Sequence, residues 1–575
     1  MKKFIYMLML AGVVSAAFFY DEISLNVTEV VKKTIQEKKF ASDDSKEIDK
    51  LLKTTRKIPE NAELGSYLAG IVARNSGDFE SALKYLEKTY LADKENLDIR
   101  RDLYAIKAMS GDIQSLFNLF PSDFYKDDSL HYASELKVAQ LIKEKKYQEA
   151  IDLISSLKNK SPFIMALKAW AYAGLNDKNN AVLTLNALKE EAPIHQIKRY
   201  HLALIHEYFN DKKTAEVYYN QLQGLTKDIS FSFYISAKNF FEEKKNWNEQ
   251  NVFYKKYEGL SEENPVFYDV VTQVGMPPIK TVQEGASEVF YAWGNSMGKQ
   301  PDLAVLLSNT AIFLNKNHTM AKVWSAEVLD VMELQVFSHK IYDAMLKEKP
   351  NADIILYKKG LAYMHHQDSE GALKIFKELL KRNISNPVVL LLVAQGYEAN
   401  GDCKSALPFY ERTLFLMSRW GIDKAKDIKF QTARCHLKEN NFKEFEKYAY
   451  SALQEDPYDA TILNYLAYAW LERDMNLKEA IAFLEKAYEQ SPDSPEILDS
   501  LAFAYYKKGE PEKALPFAER AVDGMGASSI ANMHLGDIYN ALGRIREAQS
   551  QYEKALALKF DLTPELEQKL MERLK

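Results

Sequence analysis

The sequence has few residues that interrupt or cross-link a chain, with 17 Pro, 22 Gly and 2 Cys among 575 residues. So few helix breakers, together with abundant Ala, Leu, Lys and Glu, predict helix almost throughout. The two cysteines, Cys403 and Cys435, exclude a fold that depends on a disulfide framework, although they leave open whether these two pair. Because the length exceeds one ordinary core, several domains or a repeat array are expected.

The sequence also lacks a strong charge of either sign, since its formal net charge is −6. Nucleic-acid binding needs concentrated Lys and Arg, so no nucleic-acid partner is expected. The ten His residues form no H-E-x-x-H motif and no Cys/His ligand cluster. We therefore expect no metal, no cofactor and no catalysis.

One long hydrophobic run is present, Phe4–Phe19, which follows Lys2 and Lys3. A basic start, a short apolar core and small residues near its end are typical of an export signal over residues 1–20. Cleavage after Ala16 or Ala17 fits this pattern. The run is slightly shorter than a membrane-spanning helix, which favours the cleaved signal, and an uncleaved anchor formed by residues 4–19 is the alternative. The mature chain is expected outside the cytoplasm.

Small residues recur every 34 residues through most of the chain. They form three series with internal steps of 34, apart from a step of 31 between Ala150 and Ala181 and a larger Leu116 in one place: Ala480, Ala514 and Ala548; Ala304, Ser338, Ala372 and Ala406; Ala82, Leu116 and Ala150, then Ala181 and Ala215.

The blocks around these positions share a pattern, for example LDSLAFAYYKKGEPEKALPFAERAV from Leu498 to Val522. Each block has a small residue and an aromatic residue in a first helix, followed by A-x3-aromatic in a second helix and then Pro. This pattern, at a period of 34, resembles the tetratricopeptide (TPR) family. The resemblance covers roughly residues 61–557 and implies an all-α solenoid, a right-handed superhelix of antiparallel helix pairs. Gly401, Gly509 and Gly543 fall between the two helices of a pair, where a positive φ is needed.

The predicted organisation follows this repeat frame and allows two lobes, one on each side of a linker. The segments are: 1–20, signal peptide or anchor; 21–60, a leading charged helical segment; 61–258, an N-terminal array of about six repeats; 259–285, a hinge or irregular linker; 286–557, a C-terminal array of about eight repeats; and 558–575, a polar capping helix.

The resemblance also implies a site, because the first helix of each TPR pair lines a concave groove. The inward-pointing candidates in the last three repeats are Asn464, Tyr468, Asp499, Phe503, Tyr506, Asp537 and Asn540. Aromatic rings beside amides and carboxylates suit an extended or helical peptide, through stacking and backbone hydrogen bonds. Two acids in the groove argue against a basic clamp for C-terminal carboxylates.

A G-x-S-x-G match at Gly294–Gly298 raises a different function, a serine hydrolase that uses Ser296. A nucleophile elbow requires a strand before the serine and a helix after it. The preceding ASEVFYAW lies in the helical frame of the Ala304 repeat, so we interpret the motif as a glycine-rich helix end.

The stretches LNYLAYAW, LDSLAFAYY and MHLGDIY resemble a narrower group, TPR proteins of the bacterial envelope. That group includes lipoproteins that act as adaptors of periplasmic carboxyl-terminal processing proteases. The resemblance implies a non-catalytic adaptor in the periplasm or envelope of a Gram-negative bacterium, and a structural scaffold for envelope or secretion assembly is the alternative. Val13 stands where such a lipoprotein needs Cys, and Ala467 and Ala502 replace the Gly of the group.

Overall fold

Antiparallel helix pairs make up the described part of the protein. The computed structural model describes residues 64–574, apart from 76–77, 120–123, 127–131, 159, 190–193, 223–230, 247–277, 298–299, 351, 383–384, 420–424 and 559–561. These residues form 28 α-helices and a short 3-10 turn, Phe124–Lys126, and no strand occurs among them. The prediction of an all-α fold is therefore confirmed.

The chain divides into two compact units, 1–388 and 389–575. The described helices of the first unit are α1 (Leu64–Asn75), α2 (Phe79–Ala92), α3 (Leu97–Ser110), α4 (Ile113–Leu119), α5 (Ala133–Lys143), α6 (Tyr147–Ser156), α7 (Pro162–Gly174), α8 (Lys178–Asn186), α9 (Ile194–Tyr208), α10 (Lys212–Leu222), α11 (Phe231–Glu243), α12 (Val282–Ser296), α13 (Pro301–Leu314), α14 (Thr319–Val331), α15 (Gln335–Glu348), α16 (Asp353–His365) and α17 (Ser369–Arg382).

The helices of the second unit follow, and α18 begins two residues before the division. They are α18 (Pro387–Ala399), α19 (Cys403–Arg419), α20 (Lys426–Lys438), α21 (Phe442–Leu453), α22 (Ala460–Leu471), α23 (Leu477–Gln490), α24 (Pro495–Lys507), α25 (Pro511–Gly524), α26 (Ser529–Ala541), α27 (Ile545–Ala557) and α28 (Pro564–Arg573).

The recurring small residues lie where the two helices of a pair cross. Ala502 on α24 and Ala514 on α25 are both fully buried, as are their equivalents in the other pairs. At Gly536, an added Cβ would lie 2.4 Å from the ring of Tyr552 on the second helix of that pair. The small side chain therefore permits the close helix approach that the period predicts.

The ends of the helices follow the local sequence. Gly509 and Gly401 have φ of 83° and 79°, the left-handed conformation that ends a first helix. At the start of α12, the Thr281 hydroxyl accepts from the Glu284 amide while the Glu284 carboxylate accepts from the Thr281 amide. This capping box begins α12 at Val282, inside the predicted linker 259–285.

The division between the two compact units lies outside the predicted linker. We expected it at the linker 259–285, most of which lies outside the described residues, as do the predicted segments 1–20 and 21–60. The division falls at Val388–Val389 instead. The reason is that α12 and α13, which follow the linker, pack on helices that precede it. At the C-terminus, α28 lies within the predicted capping segment and buries Leu566 and Leu570.

A disulfide links two consecutive helix pairs of the second unit. Cys403, at the start of α19, pairs with Cys435 on α20, with their Cα atoms 5.0 Å apart. Both residues are buried. The pairing answers the question that the sequence left open.

Candidate partner-binding site

The concave positions of the first unit are covered by another part of the same unit. The α12–α13 pair packs mainly on α3, α5, α7 and α9, which are first helices of their pairs, and α13 also contacts the second helix α4. Since first helices line the concave side of such an array, the α12–α13 pair occupies the groove that a partner would otherwise enter.

Aromatic packing holds α12 against α7. The Phe163 ring meets the Phe290 ring edge-on and stacks on the Trp293 ring, with centroids 5.0 Å apart in both cases. Trp170 lies so close to α12 that a Cβ added at Gly285 would be 2.4 Å from its ring. Phe163, Trp170 and Phe290 are fully buried, so this surface belongs to the core.

Hydrogen bonds complete the contact, and each satisfies a main-chain carbonyl at the end of a helix. The Gln283 side chain donates to the Ile142 carbonyl (2.8 Å), the Asn309 side chain donates to the Ala108 carbonyl (2.7 Å), and the Lys143 ammonium donates to the Leu314 carbonyl (3.0 Å). Helix ends leave carbonyls with unused hydrogen-bonding capacity, and these side chains use it in addition to the main-chain bonds from Lys145 and Gly111. The α12–α13 pair is therefore an integral layer of the first unit.

His201 lies beneath this contact, in a buried position that disfavours its protonation. It is fully buried on α9 and accepts a hydrogen bond from the Trp170 indole through Nδ1 (3.2 Å), while its Nε2 has no hydrogen-bond partner among the described residues. Burial disfavours the charged imidazolium and lowers the pKa of His201 to about 3 from 6.5.

We expect the replacement His201→Gln, which keeps an acceptor for Trp170, to flatten the pH dependence of stability. With the folded pKa depressed, the contribution of neutral His201 is complete above pH 6.5 and is lost as the pH falls towards 3, because the unfolded chain binds the proton first. One proton corresponds to about 1.4 kcal/mol per pH unit, so the slope between pH 6 and 4 should be shallower by about that amount. Urea unfolding at several pH values measures it, and equal slopes for both proteins would contradict the assignment.

In the second unit, three predicted residues meet around His534. The His534 ring stacks on Phe503 with centroids 4.2 Å apart, and Tyr468 lies 6.1 Å from Phe503 and 6.4 Å from His534. The Asp499 carboxylate lies 3.0 Å from His534 Nδ1 and is buried. Phe503 and Tyr468 are half-buried, so their rings form the accessible surface while Asp499 holds His534 beneath them.

Two further predicted residues, Asp537 and Tyr506, lie together at the C-terminal end of the groove. The Asp537 carboxylate accepts from the Tyr552 hydroxyl (2.9 Å) and from Arg573 of α28 through Nε (2.5 Å) and Nη2 (2.8 Å). Burial, with a contribution from the charge of Asp537, raises the pKa of Tyr506. Asp537 is thus already paired within the chain, and Tyr506 remains half-buried beside it.

The two predicted amides differ in their surroundings. Asn464 on α22 is half-buried, and its side-chain oxygen is shielded from solvent with no hydrogen-bond partner among the described residues. Asn540 on α26 is exposed. Of the two, Asn464 offers an unsatisfied acceptor next to the aromatic rings.

The sequence analysis missed the part of this surface that lies one repeat earlier. Phe430 and Arg434 on α20 stand 34 residues before Asn464 and Tyr468, so extending the frame by one period would have identified them. The Phe430 ring lies 5.3 Å from the ring of Tyr465, and the Arg434 guanidinium lies 6.0 Å from the same ring. Tyr465 is 40 % exposed. Arg434 also pairs with Glu398 at 3.3 Å.

Together these side chains form a surface of the second unit that we call the aromatic groove. Its members are Phe430, Arg434, Asn464, Tyr465, Tyr468, Phe503 and Tyr506, from the three first helices α20, α22 and α24.

The hydrolase alternative finds no support at Ser296. This residue ends α12, and its hydroxyl donates to the Trp293 carbonyl (2.7 Å). The stretch before it is helix instead of the strand that a nucleophile elbow requires. In the part of the chain that the structure describes, no group of three or more His, Cys, Asp and Glu is arranged to hold a metal, and no helix is long and apolar enough to cross a membrane.

The helix pairs, their crossing residues and their stacked first helices define a TPR solenoid of the kind that serves as a scaffold for protein–protein interaction. Family models described as tetratricopeptide repeat match residues 355–383, 473–523 and 530–562, so the chain carries TPR repeats there. No curated protein matches the sequence significantly.

Similar solved structures are helical-repeat proteins at low identity. The APC/C hetero-tetramer Cut9–Hcn1 has 12% identity and a TM-score of 0.36, covering 88% of this chain and 95% of that one. Yeast Tom70 has 15% identity and a TM-score of 0.32, covering 88% and 94%. A TPR protein from Parabacteroides merdae has 15% identity and a TM-score of 0.37, covering 44% and 97%.

Proposed function

We propose that the protein binds protein or peptide partners, without catalysis, through the aromatic groove of residues 389–575. One contrast carries this proposal. The concave residues Phe163, Trp170 and Tyr200 of the first unit are fully buried, whereas in the second unit Tyr465 is exposed and Tyr468 and Phe503 are half-buried. Accessible aromatic residues in a concave surface are typical anchors for a partner.

The polar groups of the aromatic groove suit a peptide main chain. The Asn464 side-chain oxygen is an acceptor and Arg434 Nε–H is a donor, and neither has a hydrogen-bond partner among the described residues. Both atoms are shielded from solvent, so a peptide group, which supplies one donor and one acceptor, reaches them when neighbouring side chains move aside, while its side chains stack on the rings. The favoured ligand is therefore an extended or helical segment of a protein.

We expect the double replacement Tyr468→Ala and Phe503→Ala to weaken partner binding at least about tenfold, since truncated anchor residues cost about 1–2 kcal/mol each or more. The measurement compares partners that wild type and variant capture from native envelope extracts, quantified by mass spectrometry, with circular dichroism to verify folding. Tyr458→Ala, at a residue that is 62 % exposed in a turn outside the aromatic groove, is the matched control. Unchanged capture by a folded double variant would exclude this groove.

We further propose an envelope location and a role as an adaptor that delivers substrates to a periplasmic carboxyl-terminal processing protease. Three features support this. The first residues have the pattern of an export signal. Cys403 and Cys435 pair, and disulfides persist in oxidising compartments such as the periplasm. The last three repeats resemble envelope TPR adaptors. The mass of the mature N-terminus distinguishes a cleaved signal from an anchor at residues 4–19.

Affinity capture separates the adaptor from the alternative, a scaffold for envelope or secretion assembly. The full-length chain is expected to retain a serine protease of the processing class together with a protein that accumulates when that protease is absent. Recovery of assembly-machine subunits alone would reject the adaptor role and favour the scaffold. Either result leaves the aromatic groove as the binding surface to be tested by the double variant.

A further inference from the structure

The first described helix carries an apolar face that no described residue covers fully. On α1, Val72 is 66 % exposed and Leu68 is 54 % exposed, four residues apart and therefore on one side of the helix. Apolar side chains such as Leu68 and Val72 contribute stability only when they are removed from water, so their exposure on one face of α1 needs an explanation.

The repeat frame shows that this face is normally an interface. Val72 lies ten residues before Ala82, and at the same offset in most later pairs the residues are buried, with half-buried Gln140 as an exception: Ile106, Ala171, Ile205, Ala362, Ala504 and Ile538. The residues that correspond to Leu68 are buried as well: Asp102, Leu167, His201, Ser500 and His534. In those repeats, the second helix of the preceding pair packs on the face, as α2 packs on α3 and α25 on α26.

We propose that residues 48–58 of this chain, IDKLLKTTRKI, cover the face formed by Leu68 and Val72. Ile48, Leu51 and Leu52 have the i, i+3, i+4 spacing of an apolar stripe that can take the place of the second helix that packs on this face in later repeats. The remaining residues of the segment, among them Lys50, Lys53 and Arg56, are polar enough for the outer side of a solenoid cap.

Chain length favours this occupant over a second copy of the protein. Five residues, 59–63, lie between the segment and Leu64, and five extended residues reach about 17 Å, more than the ~10 Å between packed helices. A tethered segment also acts at an effective concentration in the millimolar range, which a separate molecule does not reach in solution.

The test places a carboxylate on each side of the proposed contact in the full-length protein. Val72→Asp is expected to increase local opening of α1 and α2 at least about tenfold, measured by hydrogen exchange of their amides, because a charge would be buried. Leu51→Asp should have a similar effect on the same amides, and the double variant should add little to either one. Val336→Asp, at a residue of α15 that is 76 % exposed, is the matched control and should leave exchange unchanged.

Each other outcome overturns the proposal. If Val72→Asp changes nothing, the face is open to solvent. If Val72→Asp acts but Leu51→Asp does not, another occupant covers the face, and protection that depends on protein concentration identifies it as a second copy. If the two effects add in full, the segment and the face act separately.

Discussion

A chain that ends at Lys280 should fail to form a stable monomer, although it contains every helix pair of the predicted N-terminal array. Without α12 and α13, the rings of Phe163 and Trp170 and the apolar positions around them would face water. Full burial of one such ring contributes roughly 2–3 kcal/mol, and a domain has only about 5–15 kcal/mol in total. Size-exclusion chromatography and circular dichroism of the truncated chain should show aggregation or loss of cooperative unfolding.

The matched control ends at Glu348, after α15, and therefore retains the α12–α13 pair. It should remain soluble and unfold cooperatively. The two truncations differ by the layer that fills the groove and by the α14–α15 pair that follows it. A Lys280 chain that is as stable as the Glu348 chain would show that the first array does not depend on its occupied groove.

Removal of the disulfide should destabilise the second unit by about 3–4 kcal/mol, the value expected for a loop closed over a separation of 32 residues. The variant carries Cys403→Ala and Cys435→Ala, because alanine leaves no unpaired polar group in these buried positions. Urea unfolding of wild type and variant measures the difference.

A reductant provides the control for that experiment. It should lower the stability of wild type towards that of the double variant and leave the variant unchanged. Two free thiols in protein isolated from its native compartment would contradict both the pairing and the proposed oxidising location.

The helix pairs could be predicted because their signals are local. The period of 34, the small residues at the crossings and Gly509 between two helices each act within one repeat or between neighbours. The disulfide could not be predicted in the same way, because the pairing depends on how closely α19 and α20 pack.

The aromatic groove could be predicted in part. The frame assigned Tyr468 and Phe503 to the inward face, and their rings lie 6.1 Å apart, yet it could not show that Asp499 would be held by His534 or that Asp537 would be paired with Arg573. These contacts join residues about 35 positions apart through side-chain orientation, which a periodic pattern does not specify. Phe430 and Arg434 were missed for a simpler reason, since the frame was not extended one repeat further.

The burial of the groove in the first unit is reflected in the residue types of α7. Trp170 stands eleven residues before Ala181, where Phe503 stands before Ala514 and Asp537 before Ala548. Apolar Phe163, Ala166 and Ala173 accompany Trp170 on α7, whereas acids and amides accompany Phe503 and Asp537. A groove position without any polar neighbour indicates burial, but it does not say which segment covers it.

By itself, the sequence determined the repeating unit, the helices and the surface on which a partner is expected. The tertiary structure alone decided which concave surface is accessible. The reason is the range of the interactions: Asn309 donates to a carbonyl 201 residues earlier, and many such contacts together place α12 and α13 on α3 to α9. A local period records how neighbouring repeats stack, whereas contacts between distant repeats depend on the accumulated geometry of all the pairs between them.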